Sequence, residues 1–274
     1  MTRLFSFTVT ACIGLLYGIP LLLILAIALK PEAEIFKFGT ELSVYSIFPQ
    51  KPTLAAFQDA LGRPNFLQQV VNTFVVGIIQ STTTIVLCLM AAYVISRSKS
   101  KWGHVMTFSI ALVLFVPYQT IVVPLFLIIR DFGMLNSWFG LILPWIASPM
   151  TVVMLKNALD EFPVEIDEAA RVDRAGPIRT LFQIVAPNIV PSLATVWVIN
   201  MVGIYDSLLW PLVSITEPSN QVAQVGLAAL FSTWERPSFA TAFAASLIVV
   251  APLLPLFILF QRQFAATFAS AGMK

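Results

Sequence analysis

Charge is scarce in this chain. Only 11% of its 274 residues are Asp, Glu, Lys or Arg, against about 25% in a typical soluble domain, so an ordinary soluble fold is excluded. Histidine occurs once, as His104, and cysteine twice, as Cys12 and Cys88 in separate apolar stretches. Without a second histidine or a CxxC spacing, neither a metal site nor a disulfide framework is indicated. A lone histidine with no Gly-x-Ser-x-Gly or His-Glu-x-x-His also leaves no hydrolase constellation to assemble. No glycine is followed by lysine, so the chain lacks a Walker A loop and does not bind ATP in that manner. A net charge of +2 with no Lys/Arg patch gives no footprint for nucleic acid.

Apolar length is abundant. Hydrophobic residues make up 58% of the chain and the mean hydropathy is +0.87. A helix needs about 20 apolar residues to cross a bilayer, and six runs meet that length, at 5–29, 67–96, 105–129, 138–158, 188–213 and 239–261. These predict an all-α, polytopic transmembrane helical bundle of about six spans, organised as one domain over 1–274. The first run follows Arg3 and ends near Ala26-Ile27-Ala28, a cleavage-like triplet. Its length exceeds the 7–15 residues of a signal-peptide core, so it is read as a span. With the N-terminus inside, ten of the sixteen basic residues face the cytoplasm, the sense required by the positive-inside rule. Arg97, Lys99 and Lys101 form the clearest such loop. Both termini are then cytoplasmic.

Within the spans, polar residues are few and placed. Gln69, Thr73, Gln80 and Thr84 recur at spacings of 4, 7 and 4, a stripe of roughly 60° on a helix, with Asn72 on an adjacent face. Such a stripe fits interhelical hydrogen bonding or a water-filled path. Pro117 and Pro124 are each expected to kink the third span, with Tyr118 and Gln119 beside the first. Asn200 and Asp206 interrupt the fifth; Asp206 is either functional or simply hydrated near the outer interface. Gly14 and Gly18 form a small-xxx-small pair, expected to pack closely on another helix. Residues 30–66 form the longest loop, with a short amphipathic piece around 54–61. The loop at 214–238 carries Glu217, Asn220, Gln221, Gln224, Trp234 and Glu235, groups suited to sugar hydroxyls or a protein surface.

One polar island lies between the fourth and fifth runs. It reads Pro163-Val164-Glu165-Ile166-Asp167-Glu168-Ala169-Ala170-Arg171-Val172-Asp173-Arg174-Ala175-Gly176, then continues from Pro177 to Pro187. Pro163 suits a first helical turn. Glu165, Asp167 and Glu168 complement the positive end of the helix dipole. Gly176-Pro177 is expected to end the helix. Ala169 and Ala170, read as facing outward, would let another backbone come close. An amphipathic helix lying on lipid is the competing account, but Lys and Arg usually dominate the polar face of such helices.

The order Glu168-Ala169-Ala170, a following glycine, then Ile184 and Pro187 resembles the EAA loop of binding-protein-dependent ABC importer permeases. Val116-Pro117-Tyr118-Gln119, Ile121-Val122-Val123-Pro124-Leu125, Gly133-Met134-Leu135-Asn136-Ser137 and the Trp210-Pro211-Leu212 run resemble the maltose-type, carbohydrate-uptake branch. The resemblance covers roughly 65–262, with the coupling loop at 160–187. Three positions depart from it: Arg174 stands where that loop usually has Gly, Ala186 replaces Leu, and Tyr205-Asp206 replaces Trp-Asn. The resemblance implies an inner-membrane permease forming half of a translocation pathway, with no enzymatic activity and no cofactor of its own. ATP and Mg would be used by a separate ATPase dimer. A second homologous permease subunit, an extracytoplasmic solute-binding protein and membrane lipid would complete the partners. Glu168, Ala169, Ala170, Asp173 and Gly176 are the implied ATPase-coupling residues, Glu168 through an ion pair. Asn72, Thr73, Gln80, Gln119, Asn200, Tyr205 and Asp206 are candidates for the path. Polyol phosphates or other small polar solutes remain alternative cargo. An ion-coupled secondary transporter is the alternative from a different class, with only Asp206 to serve it.

Overall fold

A computed structural model describes residues 2–38, 43–98, 100–232 and 238–271. Lys99, Trp234, Glu235, Arg236 and Lys274 lie outside the described residues, as do the side chains of Arg3, Cys12 and Arg262. In chain order the helices are α1 (Thr2–Ala28), α2 (Glu32–Phe38), α3 (Val44–Ile47), α4 (Ala55–Gly62), α5 (Phe66–Ser96), α6 (Lys101–Val113), α7 (Tyr118–Asp131), α8 (Trp138–Ile142) and α9 (Pro149–Asp160). There follow α10 (Val164–Val172), α11 (Pro177–Arg179), a π-helical stretch Thr180–Val185, α12 (Ala186–Asn188), α13 (Val190–Asp206), α14 (Leu209–Ser214), α15 (Ala223–Ser232), α16 (Phe239–Val250) and α17 (Leu253–Ala271).

Among the described residues, only two uninterrupted helices are long and apolar enough to cross a membrane, Thr8–Ala28 and Phe66–Ser96. The other four runs are broken pairs, and six spans result if each pair is counted as one. α6 and α7 meet at 94°, and α13 turns 88° from the segment Pro177–Asn188. Proline chemistry accounts for both corners. Pro117 stands at the N-cap of α7 in an extended conformation. Pro191 has no N–H to offer the carbonyl of Pro187, and the helix breaks at Ile189, which leaves the helical region at φ −110° and ψ 20°. Pro124, expected to kink its helix, lies inside an unbroken α7; it deletes one hydrogen bond without ending the helix.

The chain groups into two compact units, residues 1–71 with 222–252, and residues 72–221 with 253–274. In the first, α16 packs against α1, α4 and α15. Ala28, Ala60, Ala244 and Ala245 are fully buried there, small side chains that let helix backbones approach. The Glu32 carboxylate caps α16, accepting from Phe239 N at 3.0 Å, Ala240 N at 3.3 Å and Ser238 Oγ at 3.0 Å. Negative charge at that helix end is favourable. The buried Lys30 donates to the carbonyls of Tyr45 (2.9 Å) and Ser46 (2.7 Å), fixing α3. Leu15, Leu16, Tyr17, Leu21 and Leu22 of α1 point outward, as a lipid-facing helix requires. Nothing described lies within 4 Å of a Cβ built on Gly14 or Gly18, so their expected close helix contact is not made among the described residues.

In the second unit α13 packs on α17 and α9, and α6 on α9. Its close approach is at Gly77, where a Cβ would stand 2.5 Å from Met201 Sδ. A core of Leu89, Ala92 and Ile95 from α5, Leu155 and Leu159 from α9, and Leu181 and Val185 from the π-helical stretch lies at one end. That core supports α10.

Candidate coupling site and membrane path

Pro163 is the N-cap of α10, just before its first turn, at φ −56° and ψ 129°. Glu165, Glu168, Ala169 and Val172 are exposed, whereas Asp167 and Ala170 are buried at 3% and 4%. The spacing decides this: 165, 168/169 and 172 share one face of an α-helix, and 167 and 170 share another. The expectation that Ala170 faces outward is therefore corrected. Ala170 is the inward side of the helix, and its small size lets α10 lie close to the π-helical stretch it packs against.

Asp167 is corrected too, from a surface acid to the centre of a clamp. Its Oδ2 accepts from Arg97 Nε at 2.7 Å, with the two side chains 5% and 11% exposed, and its Oδ1 accepts from Tyr93 Oη. Arg97 also donates through Nη1 to the carbonyl of Leu159 at 2.9 Å and through Nη2 to that of Phe162 at 3.2 Å. Leu159 lies in the last turn of α9 and Phe162 in the connection to α10, and the Leu159 carbonyl also accepts from Phe162 N at 3.1 Å. Ser96 Oγ donates to Asp160 Oδ1 at 2.6 Å, and Lys156 Nζ reaches Asp160 Oδ2 at 2.5 Å. The last turn of α5, the end of α9 and the start of α10 are thus joined by charge-assisted bonds with all of their geometry satisfied. Sequence reading passed over this group because Arg97 was counted only as a topology signal. Tyr93 and Arg97 are four apart on one face of α5, which was the available clue.

α10 ends at Val172, four residues earlier than Gly176-Pro177 implied. Arg174 N–H bonds the carbonyl of Arg171 at 3.0 Å and Ala175 N–H that of Ala170 at 2.9 Å. This is the Schellman pattern, whose turning residue adopts a left-handed conformation usually given to glycine. Here Arg174 adopts it, at φ +59°. The same pattern closes α7 through Gly133 N to Arg130 O and Met134 N to Ile129 O, with Gly133 at φ +67°. Gly176 is extended at φ −71° and ψ 160°, so the turn makes no demand on its being glycine. Its carbonyl accepts from Thr180 N at 2.9 Å and Thr180 Oγ1 at 3.1 Å. Asp173 is the exposed C-cap.

The path candidates do separate jobs. Asn72 is fully buried and its Nδ2 donates to the carbonyls of Ser219 (2.8 Å) and Gln221 (2.9 Å). Asn136, at φ +58°, holds the same loop: its Oδ1 accepts from Thr216 N, Thr216 Oγ1 and Glu217 N at 2.6, 3.0 and 2.9 Å. Asn200 exchanges hydrogen bonds with Thr151 of α9 at 3.0 and 3.2 Å and donates to the carbonyl of Val196. Thr73 is buried, as are Gln69 and Thr84 of the same stripe, while Gln80 is half-buried. Tyr205 is buried; Gln119 and Asp206 are exposed. The hydrogen bonds of Asn72 and Asn200 therefore run to different elements.

Residues 84–268 match the family described as binding-protein-dependent transport system inner membrane component. The chain belongs to this family. The permease is 29% identical over 269 residues to the sulfoquinovosyl glycerol transport system permease protein SmoH of Agrobacterium fabrum, covering 97% of this chain and 92% of that one. It is 26% identical to the galactooligosaccharides transport system permease protein GanQ of Bacillus subtilis, covering 99% and 95%. With the inner membrane ABC transporter permease protein YcjP of Escherichia coli it shares 30% identity over 84% of this chain and 83% of that protein. Its fold is that of a chain in the crystal structure of a bacterial ABC transporter involved in the import of the acidic polysaccharide alginate. The TM-score is 0.79 at 20% identity, over 95% of this chain and 96% of that one. The permease is a transport subunit and not an enzyme.

Proposed function

We propose that this permease forms half of the pathway of a carbohydrate importer and receives the ATP-driven stroke through α10. One observation carries the coupling reading. α10 is fastened inward by Asp167 and Ala170 while Glu165, Glu168, Ala169 and Val172 face out. A helix held from behind and open in front is suited to seat in a groove of a separate ATPase. Glu168 would pair there with a cation, and Ala169 would admit close backbone contact. ATP and Mg would be bound by that ATPase dimer. A second homologous permease and an external solute-binding protein would complete the assembly, with both termini of this chain in the cytoplasm. The carbohydrate class rests on the relatives' described cargoes, the sulfoquinovosyl glycerol and galactooligosaccharides named above.

The coupling reading is tested by Glu168→Ala. A charge-assisted contact contributes about 1.5–3 kcal/mol, so co-purification of the ATPase should weaken at least about tenfold while the permease still inserts. Unchanged co-purification with unchanged transport would remove Glu168 from the interface. Cysteines near positions 171 and 220 should respectively resist and accept an impermeant thiol reagent in intact cells; labelling at 171 would reverse the orientation. Uptake assays with neutral oligosaccharides against polyol phosphates would decide the cargo class.

A further inference from the structure

Seen from α10, the covalent links to the rest of the chain are two short connections. The first is Glu161–Pro163 behind α9, and the second is the turn Asp173–Gly176 that leads into α11 and then the π-helical stretch. Short loops transmit a push poorly because their torsions yield. The clamp offers a second route that does not run along the chain, since Arg97 and Asp167 are 70 residues apart. Its far side is α5, an unbroken helix of 31 residues, about 46 Å long at 1.5 Å per residue. α6/α7 and the segment before α13 turn through 94° and 88°, and such corners absorb displacement. α5 is the stiff member. It also carries Asn72, which holds the carbonyls of Ser219 and Gln221.

We propose that Tyr93, Arg97 and Asp167 are positioning residues that make α10 one rigid body with the inner ends of α5 and α9. A displacement of α10 is then delivered across the Asp167–Arg97 contact to α5, and along α5 to the loop 215–221 that Asn72 holds. Leu89, Ala92, Ile95, Leu155, Leu159, Leu181 and Val185 are buried in one cluster, so α5, α9 and the π-helical stretch against which α10 packs share a base. A packed contact of this kind switches between discrete arrangements rather than deforming continuously. The inference rests on the reading of α10 as the ATPase-docking helix, and adds to it the route that the stroke takes inside the permease.

The experiment measures solute imported per ATP hydrolysed by the complete transporter in proteoliposomes, together with ATPase co-purification. Asp167→Asn and Arg97→Gln leave the outward face of α10 intact. Co-purification should stay at the parental level while import per ATP falls at least tenfold; Tyr93→Phe, which keeps the ion pair, should lower it two- to threefold. A second variant guards against misfolding: Tyr93→Cys with Asp167→Cys, on a background with Cys12 and Cys88 replaced by alanine. Reduced, it should be uncoupled; joined by a short bis-thiosulfonate, it should regain at least half of the parental import per ATP. Parental import per ATP in Asp167→Asn would overturn the proposal. So would a bridged form that is blocked, because α10 would then have to move relative to α5. Failure of the docking reading appears elsewhere, as ATPase binding that ignores Glu168→Ala.

Discussion

Replacing Arg174 by glycine should strengthen the turn that closes α10. A non-glycine residue in the left-handed region costs about 1–2 kcal/mol, and Arg174 occupies it at φ +59°. Glycine relieves that strain but brings extra freedom to the unfolded segment, a loss of about 0.4–1 kcal/mol. The net gain is roughly 0.5–1 kcal/mol, or about a two- to fivefold slowing of local opening. Hydrogen exchange resolved by mass spectrometry over residues 170–176 reads this directly, because the amides of Arg174 and Ala175 close the motif. Arg174→Ala removes the same charge and keeps the strain, so it should not slow exchange; Arg174→Asn should fall between alanine and glycine. Gly133 supplies the inverse experiment. It turns the same motif at φ +67° with nothing within 4 Å of an added Cβ, so Gly133→Ala should open faster without any clash to blame. If Arg174→Gly and Arg174→Ala exchange alike, the backbone account is wrong and the arginine side chain governs the turn.

Three further outcomes follow from the packing. Leu159→Ala removes a fully buried side chain under α10 and should cost about 2–5 kcal/mol, seen as a lower melting temperature in detergent; an unchanged melt would mean that the core there is not close-packed. Asn72→Ala removes both amide bonds to Ser219 and Gln221 and should expose 215–221 to proteolysis, whereas an intact loop with lost transport would return Asn72 to the solute path. At the tip of that loop Glu217 is exposed but its N–H is bound by Asn136; Glu217→Gln should keep assembly and slow delivery from the binding protein, and a parental rate at every binding-protein concentration would make the loop a connector only. Gly/Ser replacement of 221–224 is the poorer variant, because Val222 and Ala223 are buried.

Composition and apolar length made the helical membrane class legible, and the polar island between the fourth and fifth apolar runs marked the helix to which we assign the coupling role. The inner organisation of that island was less accessible. A sequence shows Glu165, Asp167 and Glu168 as three similar acids on a dipole-matched turn; only the register against α5 buries the middle one. Arg97 is the same case, since a basic residue after a span serves topology whether or not it later finds a partner. The corners at Pro117 and Ile189 could be read from missing N–H donors, but Pro124 shows that one absent donor need not end a helix. Arg174 was visible as a departure from the family's glycine, yet its consequence depended on where α10 stops, four residues before Gly176.

The clamp also imposes an order on the birth of the protein. Arg97 leaves the ribosome 70 residues ahead of Asp167, roughly 4–14 s at about 5–20 residues per second. Throughout that interval its guanidinium cannot meet Asp167, and in the proposed orientation it serves as a retained positive charge at the inner membrane surface. In that orientation it would anchor the nascent second span first and become a joint only when α10 has been made. A substitution at Arg97 acts twice in one lifetime, once on insertion and once on assembly, whereas one at Asp167 acts only on the second.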